Sequence, residues 1–371
     1  MTVIGFALIN VIRRPTRTAL TVLVISLALA TAIVLLALGR GITDSATRSL
    51  LERGAELVVT PLNATDLVSS RLPEKLGARL SAVEGVSSVT GELYAFSVVN
   101  GTRQILIGGW NTGAVEWSSV PVVSGRLPKV SVREVILGDV LARSINAQAG
   151  QTITLFDEDY SVVGVTGFRA ATNRGVALTQ LSTLQKDIFR EGDVSFFSIH
   201  LKPGLAEGQI QAVGQSLAVE DNVLVSDANE VLGKDRNLAV LRAVSSAVSV
   251  VAVVMCGLSL FGTMLLAVQE RTKEIGILVS LGWGASQIAY LILSEAAVIA
   301  IAGCIGGTAV GLAASQLFGF VPAIGELVEF QPTIADLILP LLSVLPICLL
   351  GATFPAWRAM RMLPATALRQ L

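Results

Sequence analysis

A chain of 371 residues would ordinarily hold two or three soluble domains, but 52% of it is apolar, only 15% is charged and its mean hydropathy is strongly positive, which places it among membrane proteins. A net charge of −1 without a Lys/Arg cluster gives no electrostatic reason to expect a nucleic-acid partner. Three cysteines, Cys256, Cys304 and Cys348, all lie inside apolar runs and offer neither a disulfide framework nor a cysteine-based metal site.

In chain order, residues 1–17 read as a short helix at a membrane interface, with Val3, Ile4, Leu8, Val11 and Ile12 supplying its apolar side. A first transmembrane helix is predicted over 18–38. Ala28-Leu29-Ala30 resembles a signal-peptidase site, yet the apolar run continues to Leu38, too long for a signal peptide, so a retained anchor is expected. Residues 39–242 have ordinary polarity and read as one folded extracytoplasmic α+β domain. Its strands are predicted at Glu134–Leu137, Thr152–Leu155, Tyr160–Val165 and Ser195–Leu201, its helices at Pro73–Val83 and Leu205–Ala218. Gly41–Arg53 and Asn229–Arg242 are helix-permissive and are expected to continue the flanking spans as a stalk.

The second span is predicted at 243–268, a cytoplasmic loop at 269–287, the third span within 288–321 (its uncharged part from Ala296), a short outer loop at 322–336, the fourth span at 337–357 and a cytoplasmic tail at 358–371. Each uncharged run reaches the roughly 20 residues that cross a hydrocarbon core of about 30 Å. Arg13, Arg14 and Arg17, then Arg271 and Lys273, then Arg358, Arg361 and Arg369 flank the ends assigned to the cytoplasm, whereas the loop after the third span carries Glu326, Glu329 and Asp336. By the positive-inside rule both termini are cytoplasmic and the large domain is outside. No internal repeat supports an inverted-repeat carrier.

The search for chemistry is mostly negative. His200 is the single histidine and, in the alternating run Phe197–Leu201, reads as an outward strand position, which rules out a histidine triad or multi-histidine metal site within one chain. Asp157, Glu158 and Asp159 read as a solvated hairpin turn rather than a calcium site. Neither a G-x-S-x-G string nor a phosphate-binding P-loop is present, so no catalytic, cofactor or metal site is expected. In the membrane, Glu295 stands at the cytoplasmic boundary of the third span, where it is expected to snorkel or pair across helices. Gly303, Gly307 and Gly311 repeat every fourth residue, a face for tight helix packing and a weaker candidate for a homodimer seam. Pro340 and Pro346 are expected to bend the fourth span.

Two cytoplasmic strings add a resemblance. Gln269-Glu270-Arg271-Thr272-Lys273-Glu274-Ile275-Gly276-Ile277, followed by Ser280-Leu281-Gly282-Trp283-Gly284-Ala285 and Leu293-Ser294-Glu295-Ala296, closely resembles the loop of the MacB/FtsX-like ABC permease family. Pro355-Ala356-Trp357-Arg358-Ala359-Met360 with Pro364-Ala365-Thr366-Ala367-Leu368-Arg369 is similar to its terminal motif, and Gly125-Arg126-Leu127-Pro128, Glu134–Gly138 and Ala149–Ile153 resemble its outer core domain. Val279-Ser280, Trp283 and Thr366 depart from the family's usual residues. The resemblance implies a permease of a bacterial plasma (inner) membrane, without chemistry of its own. Its partners would be two copies of an ABC ATPase that hold ATP and magnesium, a second permease copy or a similar permease, the lipid bilayer and, in some assemblies, a periplasmic adaptor.

Glu270, Arg271, Lys273, Glu274, Ile275, Gly276 and Ile277 would form the ATPase-coupling helix. Alternating charges beside Ile275 and Ile277 as apolar anchors suit that role. The expected function is export of a lipophilic or amphipathic substrate by transmitting ATPase motion to the outer domain. The alternative is a signalling permease that activates an outer cell-wall hydrolase without transport.

Overall fold

The computed structural model describes residues 5, 10, 13–218, 222–233, 235–318 and 332–361. The expected interfacial helix, most of the outer loop at 322–336 and the terminal Pro364–Arg369 motif fall largely or wholly outside them. The described residues form two compact units, one within Met1–Gly39, Arg242–Phe318 and Phe330–Leu371, the other within Arg40–Leu241.

Helix α1 covers Pro15–Glu52, and the two units share it, the division falling after Gly39. Pro15 suits the first turn because its missing N–H would have no helical acceptor there. Gly54, at φ +85°, ends the helix by returning its N–H to Leu51 O at 2.9 Å, a reversal that a residue with a Cβ adopts only with strain. The predicted span is thus the first part of a 38-residue helix.

The mixed unit contains β1 (Leu57–Pro61), β2 (Leu72–Pro73), α2 (Leu76–Leu80), β3 (Val86–Val99), β4 (Arg103–Trp110), β5 (Val122–Gly125), β6 (Glu134–Gly138), β7 (Thr152–Leu155), β8 (Glu158–Thr166), β9 (Val176–Gln180), α3 (Leu181–Asp187), β10 (Asp193–Val194), β11 (Phe196–Leu201), α4 (Glu207–Leu217) and β12 (Val223–Asp227). Ten strands make one sheet in the order β12-β1-β11-β3-β4-β9-β6-β8-β5, with β7 paired to β8. The pairings β4 with β9 and β6 with β8 are parallel and the others antiparallel.

Successive residues of β3 show how the sheet is covered. Leu93 joins a core with Leu80, Leu184 and Leu217 from α2, α3 and α4, whereas Tyr94 joins a second core with Leu50 of α1, Trp110 and Trp117. With both faces covered, central strands lose the apolar-polar alternation of a half-exposed strand. All six residues of β11 are buried, and the outward position expected for His200 is corrected: the residue is 8% exposed.

Three sequence features resolve into folding devices. Phe156 and Asp157, both at positive φ, form a two-residue turn between β7 and β8. Glu158 then pairs with Arg133 at 3.0 Å, and Asp159 accepts from Thr154 Oγ1 at 3.3 Å. The Gly125-Arg126-Leu127-Pro128 string is clasped to β6: Arg126 makes two bonds of 2.5 Å to the Glu134 carboxylate, which also accepts Lys129 N–H at 2.8 Å. Those donors depress the Glu134 carboxyl to about 2. A Cβ on Gly125, at φ +80°, would lie 2.1 Å from Val163 O, so the motif needs glycine there. The segment Pro73–Val83, expected to be helical throughout, instead contributes Pro73 to β2 and only Leu76–Leu80 to a helix.

The sheet also buries ionic groups in pairs. Arg53, just beyond α1, pairs with Glu92, donates to Tyr94 Oη at 2.8 Å and lies 5.3 Å from the centre of the Trp110 ring. Burial opposes the Arg53 charge, but Glu92 overcomes it and raises the guanidinium pKa. Glu116 accepts Thr90 Oγ1 at 2.5 Å and meets His200 Nε2 at 2.8 Å.

The remaining helices are α5 (Arg236–Glu270), α6 (Thr272–Ser280), α7 (Ala285–Phe318) and α8 (Ile334–Met360). Helices α1, α5, α7 and α8 are long and apolar enough to cross a membrane, as the four predicted spans required. In the helical unit they meet through small residues. Cβ atoms on Gly303 and Gly307 would lie 2.6 Å from Ile25 Cγ2 and 2.8 Å from Leu29 Cβ, and one on Gly311 would lie 3.3 Å from Ala30 Cα. The glycine stripe, read from the sequence as a tight helix-packing face and more weakly as a homodimer seam, is therefore occupied by α1 of the same chain.

Gly257 and Gly351 bring α5 and α8 together in the same way. Cys256, Cys304 and Cys348, one from each of α5, α7 and α8, are buried in this core. Helix α8 remains one element through Pro340, Pro346 and Pro355. Leucines such as Leu20, Leu23, Leu27 and Leu350 lie on the outside, as a hydrocarbon solvent requires.

Candidate coupling site

Helix α6 is separated from α5 by Arg271 alone, whose φ of −101° and ψ of 18° leave the helical region. It ends where Gly282 takes φ +93° and the Gly282 and Trp283 N–H groups return to Val279 O at 3.0 Å and Leu278 O at 3.1 Å. The Gln287 side chain then accepts Gly284 N–H at 2.9 Å at the start of α7. Two sharp turns within a dozen residues thus present a nine-residue helix as a separate short rod.

One side of that rod belongs to the helical core. Ile275 is 4% exposed, Gly276 is buried, and Val279 and Trp283 pack partly against the same cluster. Ile277 is 51% exposed and Leu281 is 74% exposed, with Lys273, Glu274 and Ser280 on the same surface. Positions 273, 277 and 281 recur at four-residue spacing and make one stripe. The sequence-based pair of anchors is therefore corrected: Ile275 faces inward, and the outward apolar groups are Ile277 and Leu281. Leu281 lies in the Ser280–Ala285 string of the resemblance but not among the residues assigned to the coupling helix, although its i, i+4 spacing from Ile277 was readable.

Ion pairs fix the rod at its start. Glu270 meets Arg14 and accepts from Arg17 Nη1 at 3.1 Å, joining α5 to the N-terminal side of α1. Arg271 bonds Glu274 at 2.7 Å and Glu295 of α7 at 2.8 Å, and Glu295 also accepts Asn10 Nδ2 at 2.6 Å. The Arg271 and Glu295 side chains are 13% and 7% exposed, so this pair is far less screened than the half-exposed Arg14–Glu270 pair. Glu295 stands where the sequence put it and pairs across helices. Its partner Arg271, 24 residues away, was not legible.

Among the described residues, no group of histidine, cysteine or acidic side chains is arranged to hold a metal ion.

Comparison with known proteins matches residues 18–215 to the family described as MacB-like periplasmic core domain, over half of the chain, and residues 246–364 to the FtsX-like permease C-terminal family. The chain belongs to the MacB/FtsX-like ABC transporter permease family. It is 23% identical to a Bacillus subtilis protein called uncharacterized ABC transporter permease YknZ, over 99% of this chain and 98% of the relative. It is 25% identical to the macrolide export ATP-binding/permease protein MacB of Nitrobacter winogradskyi over 95% of this chain, but spans only 58% of that protein. It spans 49% of the Pseudomonas putida pyoverdine export ATP-binding/permease protein PvdT, at 24% identity. Among solved structures, the periplasmic region of MacB from Actinobacillus actinomycetemcomitans aligns with 51% of this chain and 98% of that one, at 16% identity and a TM-score of 0.40. This MacB/FtsX-like permease therefore combines four apolar helices with an extracellular domain of the MacB-like core type.

Proposed function

We propose that the chain is the permease of an ATP-driven exporter that moves a lipophilic or amphipathic substrate by passing ATPase motion to its extracytoplasmic domain. Both termini and α6 lie on the cytoplasmic side of a bacterial plasma membrane, and two ATPase copies serve this chain and a second permease. ATP and magnesium stay on the ATPase. The observation that carries the reading is the two-sided construction of α6. Its inner side is locked to the helical unit by Ile275 and by the Arg271–Glu295 pair, while Lys273, Glu274, Ile277 and Leu281 are presented outward. A force applied to that stripe reaches α5 and α7 without a loose joint. The apolar core of the helical unit, with most of its ionisable groups at the end that carries α6, favours work done outside the membrane over a polar path through it.

The test is affinity purification of the full chain from its native membrane. Wild type is expected to retain an ABC ATPase at one copy per permease. Ile277→Asp alters an exposed position, so it should leave stability within about 0.5 kcal/mol of wild type while removing the ATPase. An ATPase retained at wild-type yield by Ile277→Asp and by Leu281→Asp would overturn the docking stripe. A stable outer hydrolase and no substrate-stimulated ATPase activity would replace export with signalling.

A further inference from the structure

Beside α6 the helical unit holds more positive charge than its own carboxylates neutralise. A cleft with about 540 Å3 of empty space, part of it open to solvent, is lined by Arg13, Arg14, Arg17 and Arg271 together with Glu274 and Glu295. Arg271 is committed to those two acids, and Arg14 and Arg17 share the single carboxylate of Glu270. Among the described residues, four guanidiniums against three carboxylates leave one positive charge in surplus. Arg17 Nη2 is buried and has no hydrogen-bond partner, and a charged donor left in that state is costly. The uncharged run of α1 begins at the next residue, Thr18. These guanidiniums therefore stand at one end of a membrane span, at the depth of lipid phosphates.

We propose that this cleft binds the phosphate of an anionic phospholipid headgroup, with Arg17 Nη2 donating to a phosphate oxygen and Arg13 and Arg14 contributing charge. A phosphodiester brings one negative charge and several strong acceptors, which matches both the surplus and the unpartnered donor. A net-anionic lipid is favoured over a zwitterionic one, whose amine would return positive charge to a cleft already positive. The lipid would sit on the Arg14/Arg17–Glu270 link between α1 and α5, so leaflet composition would act on that link. The inference needs only the membrane placement of the helices and stands apart from the exporter reading.

The experiment titrates the purified full chain, in a non-ionic detergent, with phosphatidylglycerol and with phosphatidylcholine, counting bound lipid by native mass spectrometry. Phosphatidylglycerol should bind about tenfold more tightly, and Arg17→Gln should bring it down to the phosphatidylcholine level, a loss of about 1.4 kcal/mol. Arg358→Gln removes the same charge from an exposed position near the end of α8 and should change nothing. If Arg17→Gln fails to fold, the exposed Arg13→Gln takes its place, with a smaller loss in the same direction. Equal binding of the two lipids, or an equal loss in Arg358→Gln, would overturn the site in favour of diffuse attraction. Complete displacement of phosphatidylglycerol by inorganic phosphate would overturn the lipid as the natural occupant and assign the cleft to a soluble phosphate.

Discussion

The mixed unit and the helical unit treat buried polar groups in opposite ways. In the mixed unit Arg53, Glu92, Glu116 and His200 are all nearly removed from solvent, each against a named partner. In the helical unit the polar side chains along the apolar stretches are mostly hydroxyls bonded to their own helix, such as Thr31 to Leu27 O at 2.8 Å, Ser249 to Ser245 O at 2.7 Å and Thr308 to Cys304 O at 2.8 Å. Most of its charges gather at the end that carries α6, although Asp336 is buried in the first turn of α8. The difference follows from the solvent each unit meets. A folded domain in water can close a sheet over an ion pair, because desolvation is offset by several directed bonds. Helices in hydrocarbon have no water to fall back on, and they achieve cohesion through close contact of small residues.

The largest effect should come from breaking a buried pair. Arg53→Ala leaves Glu92 without its cation and should destabilise the mixed unit by about 3–5 kcal/mol, read as a lower thermal midpoint of its β-sheet signal. If the loss were below about 1 kcal/mol, the comparison would fail, since the pair would behave as an exposed one.

Next comes the helical counterpart. At Gly307 a Cβ would lie 2.8 Å from Leu29 Cβ and 2.9 Å from Ser26 O, so Gly307→Val should cost about 1–3 kcal/mol by overpacking. The expected readout is a loss of monodisperse protein in detergent. An unchanged yield would mean that α1 and α7 are not held together by this contact.

The smallest effect sharpens the comparison through pH. Burial pushes the His200 pKa down, but the bond to Glu116 outweighs it and holds the imidazole above its ordinary value. Burial pushes Glu116 up, and the bonds from His200 and Thr90 bring it below the usual carboxylate range. Stability from the raised His200 is present below the ordinary histidine range near 6.5 and is lost as pH rises through its folded value. Stability from Glu116 is present above about 4.5 and is lost as pH falls. Between about pH 6 and 8.5 the melting temperature of wild type should therefore fall, with a flatter slope in His200→Gln. Parallel slopes would show that the pair carries no linked proton.

Hydrophobic runs made the four spans legible, because a membrane helix needs an uncharged length and little else. Strands β6, β7 and β8 were legible where turns punctuate them. The long β3 and the paired β1 and β12 were not, because cores on both faces erase the alternation that marks a strand. At the candidate coupling helix the motif marked a segment but not the orientation of Ile275, since which side of a short helix faces inward depends on what α5 and α7 place beside it. The Arg271–Glu295 and Arg53–Glu92 pairs, 24 and 39 residues apart, belong to the tertiary structure and leave no local trace.

The enclosed thiols of the helical unit give the molecule a quiet chemical background. Cys256 and Cys348 expose nothing and Cys304 only 3%, so a thiol-reactive probe applied to the folded protein meets no competing native target among the described residues. A single cysteine introduced at Ile277 or Leu281 would accept a spin label or cross-linker by itself. Distances from α6 to any docked subunit then become measurable without first removing native sulfur from the packed core.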